Sequence, residues 1–390
     1  MRKIILLFLI IFLSFVLCIS SEAETKARFI FIGDIMAHKQ QLDAAYHKGT
    51  YDFSPQFRRI RPMLENSFLI GNLETTFSGT GKKLRYAGYP MFNTPDSLAE
   101  NLKDLNIDLL TLANNHILDR GAAGARRTVE VLNDLDLKWI GLGIDDVPEN
   151  DAIVLENDGI RAAFINHSYG SNLYPKSSDV QLNIISEENI AESLERAKNL
   201  SPDIIIACFH WGNEYHFSPS IHQKRAAECA FNNGADLIIG THPHVLQPVE
   251  IRVSSIDNSV KAVAWSLGNF VSFQRTQPRE RTCILAVEFV KNDDYGRTRI
   301  SKISVAPLYV VAPGQKRTEV TYAGTDENII NELDFDGLTG NQIEKLRLIG
   351  RNVLDFLGAD IEESDEYGFY TLWSEFSPDV LPKSRRKSPK

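Results

Sequence analysis

The sequence has little cysteine. Only four cysteines occur among 390 residues, and no two of them form a CxxC pair. Cys208, Cys229 and Cys283 stand far apart, each in apolar surroundings. A zinc knuckle needs closely spaced thiols and a disulfide framework needs several pairs, so neither is indicated. We therefore expect these three residues to be buried free thiols.

The sequence also lacks an excess of positive charge and any low-complexity block. It has 42 lysines and arginines against 51 acidic residues, which gives a net charge of −9. This balance offers no general reason to bind nucleic acid or an anionic membrane surface. We expect the basic tail SRRKSPK, residues 384–390, to be a solvated end. With 43% hydrophobic residues the chain can bury a large core.

One long apolar run is present, at the N-terminus. Arg2 and Lys3 precede an almost uninterrupted apolar stretch over residues 4–19, and small residues follow at 21–23. This order is typical of an export signal, although the run is also long enough for an uncleaved membrane anchor. Residues 1–23 are therefore predicted to be a signal peptide or N-terminal anchor. The rest of the chain is then periplasmic, on the cell surface or membrane-anchored, outside the cytoplasm.

Further along, five apolar runs of strand length stop at polar residues. Their continuous hydrophobicity predicts strands that are covered on both faces. The runs are RFIFIGD ending at Asp34, SFLIGNLE ending at Glu74, IDLLTLANNH ending at Asn115 and His116, DIIIACFHW reaching His210, and ADLIIGTHPH reaching His242 and His244.

Amphipathic segments alternate with these runs, which predicts an α/β fold with much parallel sheet. Helices are expected over 122–135, from Ser186, over 220–234 and after Thr94-Pro95, where Thr94 is the expected N-cap and the proline occupies the first helical position. Hairpins are expected over 152–168 and around a turn at 292–296. We predict one domain over 28–312 and a small, more polar C-terminal appendage over 313–390 with one helix.

The polar residues at the ends of the five runs are of the kinds that bind metals. Ligands of open α/β sheets bind at the carboxyl ends of strands, so these side chains are expected to converge. Carboxylates, an amide oxygen and imidazoles suit manganese, iron or zinc better than calcium or magnesium. The HPH sequence around Pro243 presents two imidazoles from one short loop. His47, His167, His216 and His222 are interpreted as ordinary surface or core residues.

Six motifs carry a resemblance to a known family. They are GDIM, GNLE, ANNHILDRG, HWGNEY, GTHPHVLQP and SLGNFV, in this order between about Arg28 and Pro307. They resemble the CapA family of poly-γ-glutamate capsule synthesis proteins, which is similar to the calcineurin-like metallophosphoesterases. The resemblance implies a four-layer α/β/β/α sandwich with a dinuclear metal site.

The resemblance also implies roles for individual residues. Asp34 corresponds to a terminal ligand of the first metal and Glu74 to the residue that bridges both ions. Asn115, His210 and His242 correspond to ligands of the second metal, and His244 to a ligand of the first. His116 corresponds to the catalytic histidine that faces the substrate.

One position departs from the phosphoesterase pattern, in which the first motif reads Asp-x-His. Met36 occupies the place of that histidine, and a thioether is a poor ligand for a borderline ion. The first metal would keep only Asp34, Glu74 and His244. His38, two residues further on, is a possible substitute if the loop bends back.

Several neighbours of the motifs are candidates for the surroundings of the site. Asp119 is predicted either to orient His116 or to cap the helix that begins near Gly121. Trp211 is expected in the pocket wall or in the core, and Glu214 is expected to contact a histidine behind the metal. Candidate substrate contacts are Tyr169, Asn172 and Asn269.

The sequence is compatible with three functions. The first is a metal-dependent hydrolase or transferase that acts on a phosphoester or on the amide of poly-γ-glutamate. The second is a capsule protein that binds an anionic polymer without cleaving it, within a capsule synthesis complex or anchored by residues 4–19. The third is a metal-independent acid/base enzyme, such as an epimerase, that uses the same pocket.

Overall fold

The structure is a computed structural model that describes residues 24–65, 67–144, 151–173, 180–253, 259–292, 297–312, 318–326, 329–330, 338–361 and 364–375. The N-terminal apolar run, most of the predicted turn at 292–296 and the basic tail lie outside these residues. No helix within the described part of the chain is long and apolar enough to cross a membrane.

Nineteen strands are assigned in the described residues, and most belong to two large sheets. In chain order they are β1 (Thr25–Ile35), β2 (Tyr46–His47), β3 (Thr50–Tyr51), β4 (Phe68–Leu73), β5 (Ile107–Thr111), β6 (Lys138–Ile140), β7 (Leu142–Ile144), β8 (Ile153–Asn157), β9 (Ile160–Ser168), β10 (Val180–Leu182), β11 (Ile204–His210), β12 (Leu237–Thr241), β13 (Leu246–Val253), β14 (Val260–Leu267), β15 (Asn269–Val271), β16 (Arg281–Asn292), β17 (Arg297–Val311), β18 (Glu319–Tyr322) and β19 (Tyr370–Ser374).

Seven α-helices and one 3-10 turn, Ser54–Gln56, accompany the strands in the described residues. The helices are α1 (Lys39–Ala45), α2 (Arg61–Leu64), α3 (Ser97–Asp104), α4 (Gly121–Asp134), α5 (Glu187–Asn199), α6 (Ile221–Asn232) and α7 (Gly340–Leu357).

Local sequence explains where the longer helices begin. The hydroxyl of Ser186 accepts a hydrogen bond from the amide of Asn189, which caps α5. Ser220 caps α6 in the same way, with Gln223 returning a bond to the backbone. The expected cap at Thr94 is wrong: α3 begins at Ser97, and the Thr94 hydroxyl instead bonds that of Thr75.

The first large sheet has nine strands. Its order is β18-β17-β16-β1-β4-β5-β6, with β15 beside β1 and β19 beside β17. Strands β1, β4, β5 and β6 are parallel, whereas β16, β17 and β18 extend the sheet in antiparallel fashion. The parallel half is the part that the apolar runs predicted.

The second sheet has six strands in the order β13-β14-β12-β11-β9-β8, with a parallel centre and one antiparallel strand at each edge. Alternate residues of β11 face different layers: Ile206 packs in the large cluster with the first sheet, while Ala207 packs in a second cluster with α5 and α6. Phe164 of β9 lies 6.3 Å from Phe29 of β1, ring centroid to centroid. Helices α3 and α4 pack on the outer side of the first sheet. The expected α/β/β/α sandwich is therefore confirmed.

The C-terminal residues differ from the expectation of an appendage. Strands β18 and β19 pair with β17, and α7 packs against β13, β16 and β17. Side chains such as Val320, Val353 and Leu372 belong to the large hydrophobic cluster. The described residues after 313 therefore complete the first sheet, because their apolar faces are buried in the same core.

Candidate metal centre

The polar residues predicted to converge lie at one end of the sandwich. Asp34 is near the end of β1, and Glu74 directly follows β4. Asn115 and His116 lie in the loop after β5, while His210 ends β11 in the other sheet. His242 and His244 follow β12. Because the carboxyl ends of these parallel strands meet at the same end of both sheets, residues up to 210 positions apart come within hydrogen-bonding distance.

Glu74 stands at the centre of this group. Its carboxylate is fully buried, and neither oxygen has a hydrogen-bond partner among the described residues. The Oε1 atom lies 3.7 Å from Nε2 of His210, 3.8 Å from Nε2 of His244 and 4.0 Å from Nε2 of His116. A buried, unpaired carboxylate is strongly disfavoured unless a cation or a donor accompanies it.

Asp34 and His244 form a hydrogen-bonded pair beside Glu74. Nδ1 of His244 lies 3.1 Å from Oδ2 of Asp34, which also accepts a 3.3 Å bond from the amide of His242. Asn72 donates to the other carboxylate oxygen of Asp34 at 2.8 Å. With Nδ1 held by the carboxylate, Nε2 of His244 is directed towards Glu74. Carboxylate–histidine pairs of this kind orient imidazoles that bind metals.

His210 is held from its other side. Its Nδ1 lies 3.1 Å from the Thr241 hydroxyl and 3.3 Å from the Asn72 amide, while its Nε2 lies 2.8 Å from Oδ1 of Asn115. The 2.8 Å separation fits either a direct hydrogen bond or two donor atoms that converge on one ion. The ring of His242 is 4.7 Å from that of His210, and its buried Nδ1 has no hydrogen-bond partner among the described residues.

The HPH loop reaches this arrangement through an unfavourable backbone. His242 has φ +95° and His244 has φ +57°, a region that residues other than glycine rarely adopt. Such strain, of the order of 1–3 kcal/mol per residue, persists where surrounding structure enforces it and clusters at functional sites. Both histidines are almost fully buried, so the strained turn directs two imidazoles inward.

Burial controls the protonation of these groups. Burial, followed by repulsion from neighbouring imidazoles, lowers the pKa of His210 and of His242 well below the usual value. Both are therefore neutral near pH 7 and can act as ligands. Burial and the nearby carboxylates of Asp34 and Glu214 raise the pKa of Glu74 well above its usual value. The pattern is that of a site in which a cation would relieve carboxylate repulsion.

His116 lies at the edge of the cluster. Its Nδ1 is 2.8 Å from Oδ2 of Asp119, which also accepts a 2.6 Å bond from the amide of Phe92. The Phe92 ring packs edge-on against the imidazole at 4.7 Å. Helix α4 is preceded by Arg120 and receives no side-chain cap. Asp119 therefore orients His116, and the alternative helix-capping role is wrong.

The candidate substrate contacts occupy different places. The Tyr169 ring is 46% exposed and lies 4.6 Å from that of His242. Asn172 is also exposed, with Nδ2 3.5 Å from Nδ1 of His116. Asn269 is instead fully buried, pairs with Asp34 across neighbouring strands and donates to the loop at Gln274. Two of the three thus lie at the mouth of the cluster.

Trp211 lies in the core and not in the pocket wall. It is 2% exposed, packs with Phe209 and Trp265 in the second hydrophobic cluster, and donates its indole N–H to the Trp265 carbonyl at 3.0 Å. The neighbouring Glu214 is exposed. A carboxylate oxygen of Glu214 and one nitrogen each of His242 and His244 lie within 4.8 Å of one another. Glu214 is therefore closer to the cluster than the sequence predicted.

Met36 and His38 have other surroundings. Met36 is buried but belongs to neither hydrophobic cluster. His38 accepts a 3.2 Å hydrogen bond from the amide of Phe273 at Nδ1, which places the proton of a neutral ring on Nε2. Burial lowers the pKa of His38 to about 4. His38 belongs to none of the ligand groups among the described residues, so it does not replace the missing histidine here.

Asn72 is a site residue that sequence reasoning missed. It lies in β4, is 1% exposed and contacts both Asp34 and His210. An asparagine inside an apolar strand, two residues before Glu74, was the available signal, because a buried amide needs hydrogen-bond partners.

The cysteines take no part in the cluster. Cys208 and Cys283 are buried and Cys229 is half-buried, and all three are free thiols. Burial raises the pKa of Cys208 and of Cys283 to about 12. The expectation of free thiols is confirmed, with Cys229 more exposed than predicted.

The donor atoms fit a pair of divalent transition ions. Three ligand groups occur among the described residues, each with donor atoms within 4.8 Å of one another. They are Glu74 with His210 and His242, Asp34 with Glu74 and His244, and Glu214 with His242 and His244. Glu74 belongs to two of the groups, as expected of a ligand between two ions. Mixed imidazole and carboxylate donors suit manganese, iron and zinc.

Comparison with known proteins agrees with the motifs. Residues 28–274 match a family described as bacterial capsule synthesis protein PGA_cap. The capsule biosynthesis protein CapA of Bacillus anthracis is 29% identical over 264 residues, which is 65% of this chain and 61% of that protein. The PGA biosynthesis protein CapA of Bacillus subtilis (strain 168) is 27% identical over 281 residues, 70% of each chain. The match thus spans about three fifths of the Bacillus anthracis protein.

Solved structures with similar folds were also found. The calcineurin-like phosphoesterase YfkN from Bacillus subtilis has a TM-score of 0.47 and 14% identity, covering 85% of this chain and 99% of that chain. The NAD nucleotidase of Haemophilus influenzae has a TM-score of 0.47 and 13% identity, covering 87% and 65% respectively.

Proposed function

The chain belongs to the bacterial capsule synthesis protein family PGA_cap, and from this premise we propose that it is an exported, metal-dependent hydrolase or transferase of capsule synthesis. Its proposed substrate is an anionic polymer such as poly-γ-glutamate, attacked at the amide, or a related phosphoester. Two relatives are named as CapA proteins of capsule or PGA biosynthesis, which supports this substrate class.

One observation carries the proposal. The Glu74 carboxylate is fully buried without a hydrogen-bond partner among the described residues, and three imidazole Nε2 atoms lie within 4.0 Å of its Oε1 atom. A structural carboxylate would have a donor at that distance, because leaving a buried charge unpaired is costly. A ligand that bridges two ions needs no such donor.

The proposed ligands divide between two neighbouring positions. Asp34, Glu74 and His244 would hold the first ion. Glu74, His210 and His242, with the amide oxygen of Asn115, would hold the second. A pair of manganese, iron or zinc ions would supply positive charge and lower the pKa of a coordinated water, which makes a nucleophile available near neutral pH.

His116 is proposed as the proton donor. Asp119 accepts the Nδ1 proton, so the ring presents Nε2 towards the cluster. When the ring carries a proton on both nitrogens, Nε2 can give its proton to the leaving amine or alkoxide and His116 becomes neutral, a step typically worth 10²–10⁴-fold in rate. The exposed Tyr169 and Asn172 flank this face and are proposed to contact the substrate.

Export is the second part of the proposal. The basic pair Arg2-Lys3 and the apolar run 4–19 support translocation, with or without cleavage after residue 23. N-terminal sequencing of the chain recovered from the cell envelope tests this. A chain that begins at Met1 in the cytoplasmic fraction would contradict export.

The reaction is tested with the purified full-length chain in mild detergent. Poly-γ-glutamate is incubated with the protein, the products are measured by mass spectrometry, and bis-p-nitrophenyl phosphate serves as a phosphodiester probe. We expect cleavage of one substrate, its loss after chelation, and its recovery with manganese, iron or zinc. His210→Ala should abolish cleavage, whereas His222→Ala, an exposed histidine on α6, should not.

Other results would identify the alternative functions. If neither substrate is cleaved and polymer binding survives in His210→Ala while weakening with salt, the protein is a non-hydrolytic polymer-binding protein. If turnover ignores the chelator but is lost in Asp34→Asn, metal-independent acid/base chemistry replaces the proposed mechanism. Either result overturns the proposal.

A further inference from the structure

We propose that Glu214 is a metal ligand and that it occupies the coordination position for which Met36 offers no suitable donor. This inference rests on the proposed dinuclear site and deepens it. It concerns the first ion, whose other ligands are Asp34, Glu74 and His244.

The first ion needs a further donor. Asp34 already accepts three hydrogen bonds, from Asn72, His244 and the amide of His242, and Glu74 belongs to two of the three ligand groups. A catalytic zinc site has three protein ligands plus a water, and the first ion reaches three only by sharing Glu74 with the second ion. Met36 is buried, and its thioether is too soft to serve.

Glu214 lies where this donor is needed. One of its carboxylate oxygens and one nitrogen each of His242 and His244 lie within 4.8 Å of one another. His244 also belongs to the group with Asp34 and Glu74, so this histidine links the exposed Glu214 to the proposed position of the first ion. The buried Nδ1 of His242 and both oxygens of Glu74 have no hydrogen-bond partner among the described residues. These atoms are therefore available to bind a cation, which is an independent indication of a metal site.

The backbone holds Glu214 against the HPH loop. The amide of Tyr215 donates to the carbonyl of Pro243 at 2.7 Å, between the two histidines. Tyr215 itself has φ +64°, a strained conformation for a bulky residue. A flexible surface loop would relax this strain, so the surroundings enforce the position of the Glu214 segment.

The side chain of Tyr215 reinforces this position. Its ring lies 6.0 Å from that of His244, and the guanidinium of Arg279 lies 3.5 Å above the ring centroid. The ring is thus held between His244 and Arg279, and it fixes the segment that carries Glu214.

The experiment measures ion content and not turnover. Full-length wild-type protein, Glu214→Gln and the matched control Glu130→Gln are freed of metal, loaded with manganese, and analysed by mass spectrometry and equilibrium titration. Glu130 is exposed on α4 and lies in no ligand group among the described residues. Electron paramagnetic resonance reports whether two manganese ions are magnetically coupled.

We expect wild type and Glu130→Gln to bind two coupled ions. Glu214→Gln should bind one ion tightly and the other at least about 10-fold more weakly, with loss of the coupled signal, since even loss of an outer contact to a metal ligand costs 10–100-fold. In the double variant Met36→His/Glu214→Gln we expect the second ion to return. Thermal unfolding of the metal-free proteins checks that the exposed substitution leaves the fold intact.

The outcomes separate this inference from the proposed function. Two coupled ions in Glu214→Gln at wild-type affinity would overturn the role of Glu214 and leave the dinuclear site standing. A wild-type protein that binds no manganese, iron or zinc would overturn both.

Discussion

Substitution of Glu74 by glutamine should change stability in opposite directions with and without metal. Without metal, the buried carboxylate is repelled by Asp34 and Glu214 and has no donor among the described residues. Glutamine keeps the size and removes the charge, so the metal-free variant should be more stable than wild type at pH 7. With metal, the same change removes a proposed ligand that belongs to two of the three ligand groups, so the loaded variant should be less stable.

The magnitude follows from the burial of the group. An unsatisfied buried polar group costs about 1–3 kcal/mol, more when charged, so Glu74→Gln should add roughly 1–3 kcal/mol to the metal-free protein. At about 2.1 cal/mol/K per residue, unfolding of 390 residues has an entropy of about 0.8 kcal/mol/K. The metal-free melting temperature should therefore rise by about 1–4 °C. Manganese at 100 times its dissociation constant should stabilise wild type by about 2.7 kcal/mol, and most of this gain should vanish in the variant.

The effect should depend on pH with a definite sign. The pKa of Glu74 is raised in the folded protein, so the folded chain retains a proton that the unfolded chain releases above the ordinary glutamate pKa of about 4.3. Wild-type stability is therefore unaffected by this group below that pH and falls as the pH rises towards the folded-state pKa. The difference between Glu74→Gln and wild type should be near its smallest at pH 4 and grow towards pH 7.

The assay is thermal unfolding of both proteins, with chelator and with manganese, between pH 4 and pH 8. Glu130→Gln is the control. Because Glu130 is exposed, its substitution should change the free energy of unfolding by no more than about 0.5 kcal/mol. A metal-free Glu74→Gln that is less stable than wild type would refute the reasoning about the unpaired carboxylate. An unchanged response to manganese would refute its role as a ligand.

Three further substitutions test the surrounding structure. Asp119→Asn should lower turnover by about 10²-fold or more, because it removes the negative charge that orients His116 and stabilises its protonated form. Manganese binding should stay at the wild-type level, and reduced ion content would contradict this division of roles. Gly240→Ala should destabilise the protein by on the order of 3 kcal/mol in denaturant titrations, because the added Cβ would lie 2.1 Å from a backbone oxygen. In the control Gly81→Ala the added Cβ has no atom within 4 Å, so the free energy of unfolding should change little. Arg59→Ala should cost about 3–5 kcal/mol, because it removes the buried guanidinium that lies 2.5 Å from the buried carboxylate of Glu319. A loss below 1 kcal/mol would show that Arg58, 3.5 Å from the same oxygen, compensates for it.

The parallel strands and the polar residues at their ends could be predicted because they depend on local sequence patterns. Continuous apolar runs that end in ligand-type residues predict buried parallel strands, and parallel strands bring their carboxyl ends together. This pattern alone predicts that Asp34, Glu74 and His210 lie at one end of the sheets. Helix starts were predictable where a side chain caps the backbone, as at Ser186 and Ser220, and failed at Thr94, whose hydroxyl found a partner in another segment.

Other features depend on contacts between distant segments. The chain after residue 313 is polar in composition, so the sequence predicted an appendage. The apolar faces of β18, β19 and α7 become buried only because these elements pack on the first sheet. Trp211 directly follows the proposed ligand His210 at the end of β11, yet its side chain packs with Phe209 in the second hydrophobic cluster, because residues two apart in an extended chain face the same side. Asp119 could cap a helix or orient His116, and only the path of the loop decides for the histidine.

The sequence by itself determined which donor atoms are available and at which strand ends they lie, because residue type and hydrophobic pattern are local properties. The tertiary structure alone decided that Glu74 lies among three imidazoles with no hydrogen-bond donor in the described residues, that His242 and His244 adopt positive φ angles, and that Glu214 lies beside these two histidines. These features arise where two sheets and their loops meet, and distances between segments up to 210 residues apart are set by packing that no local pattern contains.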